Sequence, residues 1–93
     1  MALKLNDERL HQIAKALADP RRMDLLRRIG KAGDTLPCES LRCVCPVTAA
    51  TLSHHMKELE TAGLVESARE GKFVNYTLRR DVLEAYLAAI AQI

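Results

Sequence analysis

Two short stretches of this chain carry side chains whose types and spacing could do chemistry. The first holds three thiols, Cys38, Cys43 and Cys45. Thiolates are soft ligands that suit zinc or a thiophilic metalloid, and Cys43-Val44-Cys45 has the spacing of a chelating pair. On a helix, positions i and i+2 point about 200° apart, so the pair converges only where the backbone leaves helical geometry. Pro46 disfavours helical geometry at Cys45 and keeps that route open, with Cys38 as a third ligand if the fold brings it near. Two readings compete with a metal or metalloid ion. Cys38 and Cys45 can be small core hydrophobes, as free cysteines usually are, or the thiols can respond to oxidation. An odd number of cysteines argues against a disulfide framework.

The second stretch is Ser53-His54-His55, a hydroxyl beside two imidazoles. Adjacent helical residues diverge by about 100°, so this is a poor nucleophile–base pair. No paired carboxylates, phosphate-cradling glycine loop or Ser/His/Asp spacing accompanies it, and a chain of 93 residues leaves little volume for a substrate pocket. An enzyme is therefore not expected. His11 has no ligand pattern near it and reads as a surface or dimer-contact residue.

Composition narrows the remaining classes. A net charge of +2 is compatible with nucleic acid but far from the basic balance of a non-specific coating protein. Phe73, Tyr76 and Tyr86 are the only aromatics, too few for an RNA-binding sheet or a groove that stacks successive bases. The opening MALKLNDERL lacks the apolar run of a signal peptide, and no later stretch is long enough to span a bilayer. A cytoplasmic protein with no membrane partner is expected.

The elements that must position these residues follow from caps and periodicity. Asn6 caps a first helix in which Leu10, Ile13, Ala14 and Leu17 share a face. Asp19 and Pro20 open a second, over residues 19–30, with Met23, Leu25, Leu26 and Ile29 as core candidates and Gly30 and Gly33 as its end. Residues 31–36 read as a turn and 38–44 as a short helix. Thr48 caps a longer helix, over 48–62, that buries Leu52, Met56 and Leu59 and stops at Gly63. The runs LVESAR (64–69) and FVNYTL (73–78), joined by Glu70-Gly71-Lys72, read as a hairpin. The last segment, 80–93, is apolar over too wide an arc for a one-sided helix and reads as a dimerisation helix.

Short helix, tight turn, longer helix and basic hairpin, in that order, specify a winged helix-turn-helix. With Leu52 set at zero, Met56 falls at about 40° and Leu59 at about −20°, which leaves Ala50, His54, Lys57 and Thr61 on the opposite face and Ser53 at its flank. Such a face fits the major groove: small residues permit close approach, Ser53 and His54 can bond base edges, and Lys57 can neutralise phosphate. His55, at about −60°, lies beside the core face, and packing and DNA contact both remain open for it.

The residues also resemble the ArsR/SmtB-type bacterial transcriptional repressors. The likeness spans nearly the whole chain and rests on LADPRRMDLLRRI (17–29), TLSHHMKELETAGLV (51–65) and GKFVNYTL (71–78). It implies one domain, 1–93, mainly α with a small β-hairpin and homodimeric through its first and last helices. Leu10, Ile13, Leu17, Leu83, Tyr86, Leu87 and Ile90 would form that interface. It further implies binding to a roughly palindromic double-stranded operator that blocks transcription until an inducer acts. Thr48, Ala49, Ala50, Thr51, Ser53, His54 and His55 would be the base-reading positions, with Arg69, Lys72 and Asn75 on the wing. The family's usual Cys-x-Cys pair would fall at Pro37 and Glu39, flanking Cys38, and its second metal site on the last helix is reduced here to Asp81 and Glu84. The thiols at 43 and 45 are thus displaced from the family position. The contrasting reading is a winged-helix interaction module without DNA binding, which the acids Glu58, Glu60, Glu66 and Glu70 favour.

Overall fold

The order of elements in the computed structural model, which describes residues 3–44 and 47–93, is set by a series of local start and stop signals. Helix α1 (Asp7–Leu17) begins where the Asn6 side chain accepts a hydrogen bond from the Arg9 amide at 2.9 Å. Helix α2 (Pro20–Lys31) begins in the same way, with the Asp19 carboxylate accepting from the Arg21 amide at 2.8 Å and Pro20 in the first turn, where no amide is needed. It runs through Gly30 to Lys31. The chain then reverses through left-handed backbone at Gly33 (φ 76°) and Asp34 (φ 71°), and the Asp34 amide donates to the Ile29 carbonyl.

A short strand, β1 (Thr35–Pro37), follows where only a turn is expected, and leads into α3 (Cys38–Val44). Helix α4 (Ala49–Thr61) is capped by Thr48, whose hydroxyl accepts from the Thr51 amide at 3.1 Å. It ends in a Schellman motif: the Leu64 amide donates to Leu59 and the Gly63 amide to Glu60, with Gly63 at φ 81°. Strands β2 (Val65–Glu70) and β3 (Phe73–Leu78) then form an antiparallel hairpin closed by Gly71 and Lys72, with Gly71 at φ 61°. The sheet order is β1-β3-β2, with Leu36 opposite Tyr76 and Val65 opposite Leu78. The hairpin thus carries a third strand. Helix α5 (Arg80–Ala91) closes the chain, and no described helix is long and apolar enough to cross a membrane.

The core lies where α1, α2, α4 and the sheet meet, around Ile13, Leu25, Ile29, Leu41, Met56 and Leu59. Each such side chain removed from water contributes about 1.5–3 kcal/mol. Ala14, expected on the buried face of α1, is exposed and Ala16 is buried in its place; Met23 is only half-buried. Ile13 is fully buried inside the single chain, so its place in a dimer interface is corrected: α2 and α4 already pack on α1. The apolar face left open is carried by Leu17, Leu83, Tyr86, Leu87 and Ile90, of which Leu87 is 57% exposed.

Candidate nucleic-acid interface

Helix α4 presents its two faces as the periodicity predicts. Leu52, Met56 and Leu59 are buried, while Ala49, Ala50, Ser53, His54, Lys57 and Thr61 are exposed. The first turn contains no acid, so its free amides and the positive end of the helix dipole are unopposed. Thr48 and Thr51 are tied to each other as well as to the helix end, because the Thr48 hydroxyl donates to Thr51 Oγ1 at 2.9 Å. They set where the helix starts, and the outward stripe that follows carries the exposed hydroxyl of Ser53 and imidazole of His54.

His55 lies under the helix rather than on its outer face. It is 5% exposed, and neither ring nitrogen has a protein hydrogen-bond partner among the described residues. Of the two roles open to it, packing is the one the geometry supports, and it does not join the exposed outer stripe of α4. Burial pushes its pKa below the ordinary imidazole value; the Asp19 carboxylate opposes this, while Arg22, His54 and Arg21 add to it.

The wing places its predicted residues on two faces. Arg69 pairs with Val74 on the side of Tyr76 and Leu78, whereas Asn75 pairs with Ala68 on the opposite side. Arg69 and Lys72 are exposed, and Asn75, on the central strand, is half-buried. Sequence reasoning passed over Phe73, which is 54% exposed at the tip, with the Lys72 ammonium 5.9 Å from its ring centre. Its signal was its phase: it alternates against Val74, Tyr76 and Leu78.

The wing is also fastened to the rest of the domain by contacts that sequence spacing does not announce. The Ser67 hydroxyl donates to Glu60 on α4, and Arg79 bridges Glu66 at 2.7 Å and Asp81 at 2.8 Å. Asp81 and then Glu66 hold the Arg79 pKa above its ordinary value. Two of the four acids near this face are thereby engaged internally. As for the thiols, Cys38 is half-buried against the core and Cys43 is exposed late in α3; Cys45 lies outside the described residues. Among the described residues no three His, Cys, Asp or Glu side chains gather closely enough to hold a metal ion.

The short helix α3, then α4 with its exposed outer face, then the β2–β3 hairpin define a winged helix-turn-helix, the class to which this molecule belongs. Residues 17–68 match the family described as a helix-turn-helix domain. The chain is 32% identical to the uncharacterized HTH-type transcriptional regulator YceK of Bacillus subtilis (strain 168), over 94% of this chain and 88% of that protein. It is 31% identical to the arsenical resistance operon repressor of the same organism, over 80% of this chain and 70% of that one. It also matches, with a TM-score of 0.73 and 25% identity, a solution NMR structure from Mycobacterium bovis. That structure is of the homodimeric winged helix-turn-helix DNA-binding domain of a possible ArsR-family regulator, and the match covers 98% of this chain and 88% of the other. The chain belongs to the ArsR family of winged helix-turn-helix transcriptional regulators.

Proposed function

We propose that this chain is a sequence-specific transcriptional repressor that binds a roughly palindromic duplex operator as a homodimer. The observation that carries the reading is the exposed, acid-free amino-terminal half of α4, where Ala49, Ala50, Ser53 and His54 stand clear of the core. Small side chains let the helix approach the groove floor, Ser53 and His54 offer hydrogen bonds to base edges, and Lys57 and Lys72 reach phosphates. The homodimer is supported by the open apolar face of α1 and α5. That face holds a cleft of about 740 Å³ lined in part by Leu17, Leu26, Leu83, Tyr86 and Leu87, and α5 leaves Leu87 and Ile90 57% and 45% exposed.

Selection from a random-duplex library tests the reading. The expected product is a pair of half-sites related by a two-fold axis and about one helical turn apart, bound with an affinity that falls steeply with salt. Ser53→Ala and His54→Ala relax sequence preference, whereas Lys72→Ala weakens all duplexes alike. Failure to enrich any duplex refutes DNA binding, and recovery of single, unpaired sites refutes the dimeric mode.

A further inference from the structure

The wing tip carries an apolar group that neither the core nor the open α1/α5 face accounts for. Phe73 is 54% exposed on the last rung of the hairpin, opposite Glu70 and next to the two-residue turn at Gly71 and Lys72. Its strand turns Val74, Tyr76 and Leu78 toward the core, half-burying the first and burying the other two, and the same alternation drives Phe73 outward. A Leu or Phe left exposed at a hairpin tip costs solubility and gains no packing. Lys72 stands beside it, its ammonium 5.9 Å from the ring centre, and Glu70 faces it across the hairpin; Arg69, one rung below, lies on the opposite face, so the tip taken as a whole carries two cations against one acid. The tip is therefore an apolar point set among net positive charge, a combination suited to a polyanion with an apolar interior. The minor groove of duplex DNA has that chemistry, with phosphates at its edges, sugar C–H groups along its walls and base stacks at its floor.

We propose that Phe73 is a specificity-determining residue that wedges against the minor groove where the wing meets DNA, with Lys72 beside the ring and Arg69 on the opposite face of the hairpin drawing the tip to the phosphates on either side. The proposal rests on the DNA-binding reading of α4 and deepens it. The groove must open for a ring to enter, and pyrimidine–purine steps open most easily. Phe73 thus confers a preference for such a step at the wing position without any hydrogen bond to a base edge. Covering the exposed half of the ring contributes about fivefold to tenfold in affinity per wing, and a homodimer applies it twice.

The test uses the full-length protein and the duplex recovered by selection, in versions carrying a TA step or a stiff A-tract at the wing position. The wild-type protein should prefer the TA version and bend it, measured by fluorescence energy transfer between the duplex ends. Phe73→Ala should lose about 25- to 100-fold in affinity for the TA version and the preference with it, and Phe73→Leu should keep both because leucine also wedges. Lys72→Ala should lower affinity and the salt slope while leaving the step preference intact. Phe73 is exposed, so an unchanged melting temperature confirms that Phe73→Ala is folded. Equal affinity and equal step preference in Phe73→Ala and wild type overturn the proposal. A changed sedimentation coefficient with unchanged DNA affinity also overturns it, placing Phe73 at a protein contact. A wild-type protein that binds no duplex refutes the DNA reading itself, which is a separate outcome from loss of the wedge.

Discussion

Replacing Gly63 with alanine separates two costs at the point where α4 hands the chain to the wing. Gly63 sits at φ 81°, and a Cβ built there would lie 2.5 Å from Arg9 Nη2. Forcing an L-residue into left-handed backbone costs about 1–2 kcal/mol. The contact adds to this only what Arg9 loses by moving, since the obstructing atom is the far end of a flexible side chain. Gly71 supplies the control: its φ is 61°, and nothing lies within 4 Å of its virtual Cβ. Gly71→Ala should therefore lower stability by the backbone cost alone and Gly63→Ala by more. For a domain of this length each kcal/mol moves the melting temperature by about 4–8 °C, so Gly63→Ala should melt roughly 5–15 °C below wild type. Circular-dichroism melts and urea titrations with an unchanged m-value measure the difference. In an Arg9→Ala background the Gly63→Ala cost should fall to that of Gly71→Ala. A neutral Gly63→Ala, or an excess over Gly71→Ala that survives Arg9→Ala, refutes the reasoning.

Three further expectations follow from burial and charge. Ile13→Ala should cost about 2–5 kcal/mol in urea unfolding because Ile13 is fully buried in the single chain, whereas Leu87→Ser should spare the fold and shift sedimentation from dimer to monomer. The Arg80 guanidinium bonds both Asp34 oxygens, at 2.7 and 2.8 Å, and holds that carboxyl below its ordinary value of 3.8. The stability it supplies is present above that value and lost as pH falls through the lower folded one. Asp34→Asn should therefore flatten the pH dependence of unfolding between about pH 5 and about pH 2.5. His55 acts at higher pH: burial keeps its imidazole neutral below the ordinary 6.5, so the unfolded chain takes up a proton that the folded chain refuses. Stability should be complete above that value and decline as pH drops beneath it. His55→Gln should remove that part of the slope in urea titrations from about pH 8 to about pH 5, and an unaltered slope would show the buried imidazole to be uninvolved.

What the sequence made legible was whatever local chemistry decides. Helix α4 was readable because a hydroxyl cap, a run of apolar positions at helical spacing and a glycine stop all lie within one short segment, and the structure keeps each in that role. Strand β1 was not. Three residues ending in Pro37 give too short an alternation to recognise, and the strand exists because β3 offers an unpaired edge more than thirty residues along, where Thr77 and Asn75 meet Thr35 and Pro37. The same distinction separates Ile13 from Leu17. Both are apolar on α1, and periodicity identifies the stripe without saying which part of it α2 and α4 will cover.

His55 shows how tertiary contact settles a helical position that spacing leaves on a boundary. At the margin of the core face, its fate depends on the approach of the α2 amino end, where Asp19 is held as a cap and Arg22 is pinned by the Ala16 carbonyl at 2.7 Å and the Lys15 carbonyl at 3.1 Å. Those fixed charges act on the buried imidazole from a neighbouring element. Burial of His55 narrows the outer stripe of α4 to Ala49, Ala50, Ser53, His54, Lys57 and Thr61. Phe73 lies outside that stripe for the complementary reason: β alternation settles its direction, and no element of the single chain covers it. A binding face on so small a domain is thus defined by subtraction, as the polar and apolar groups that neither core packing nor internal ion pairs consume. Among the described residues the subtraction leaves the α4 stripe and the wing tip on one hand and the open apolar face of α1 and α5 on the other.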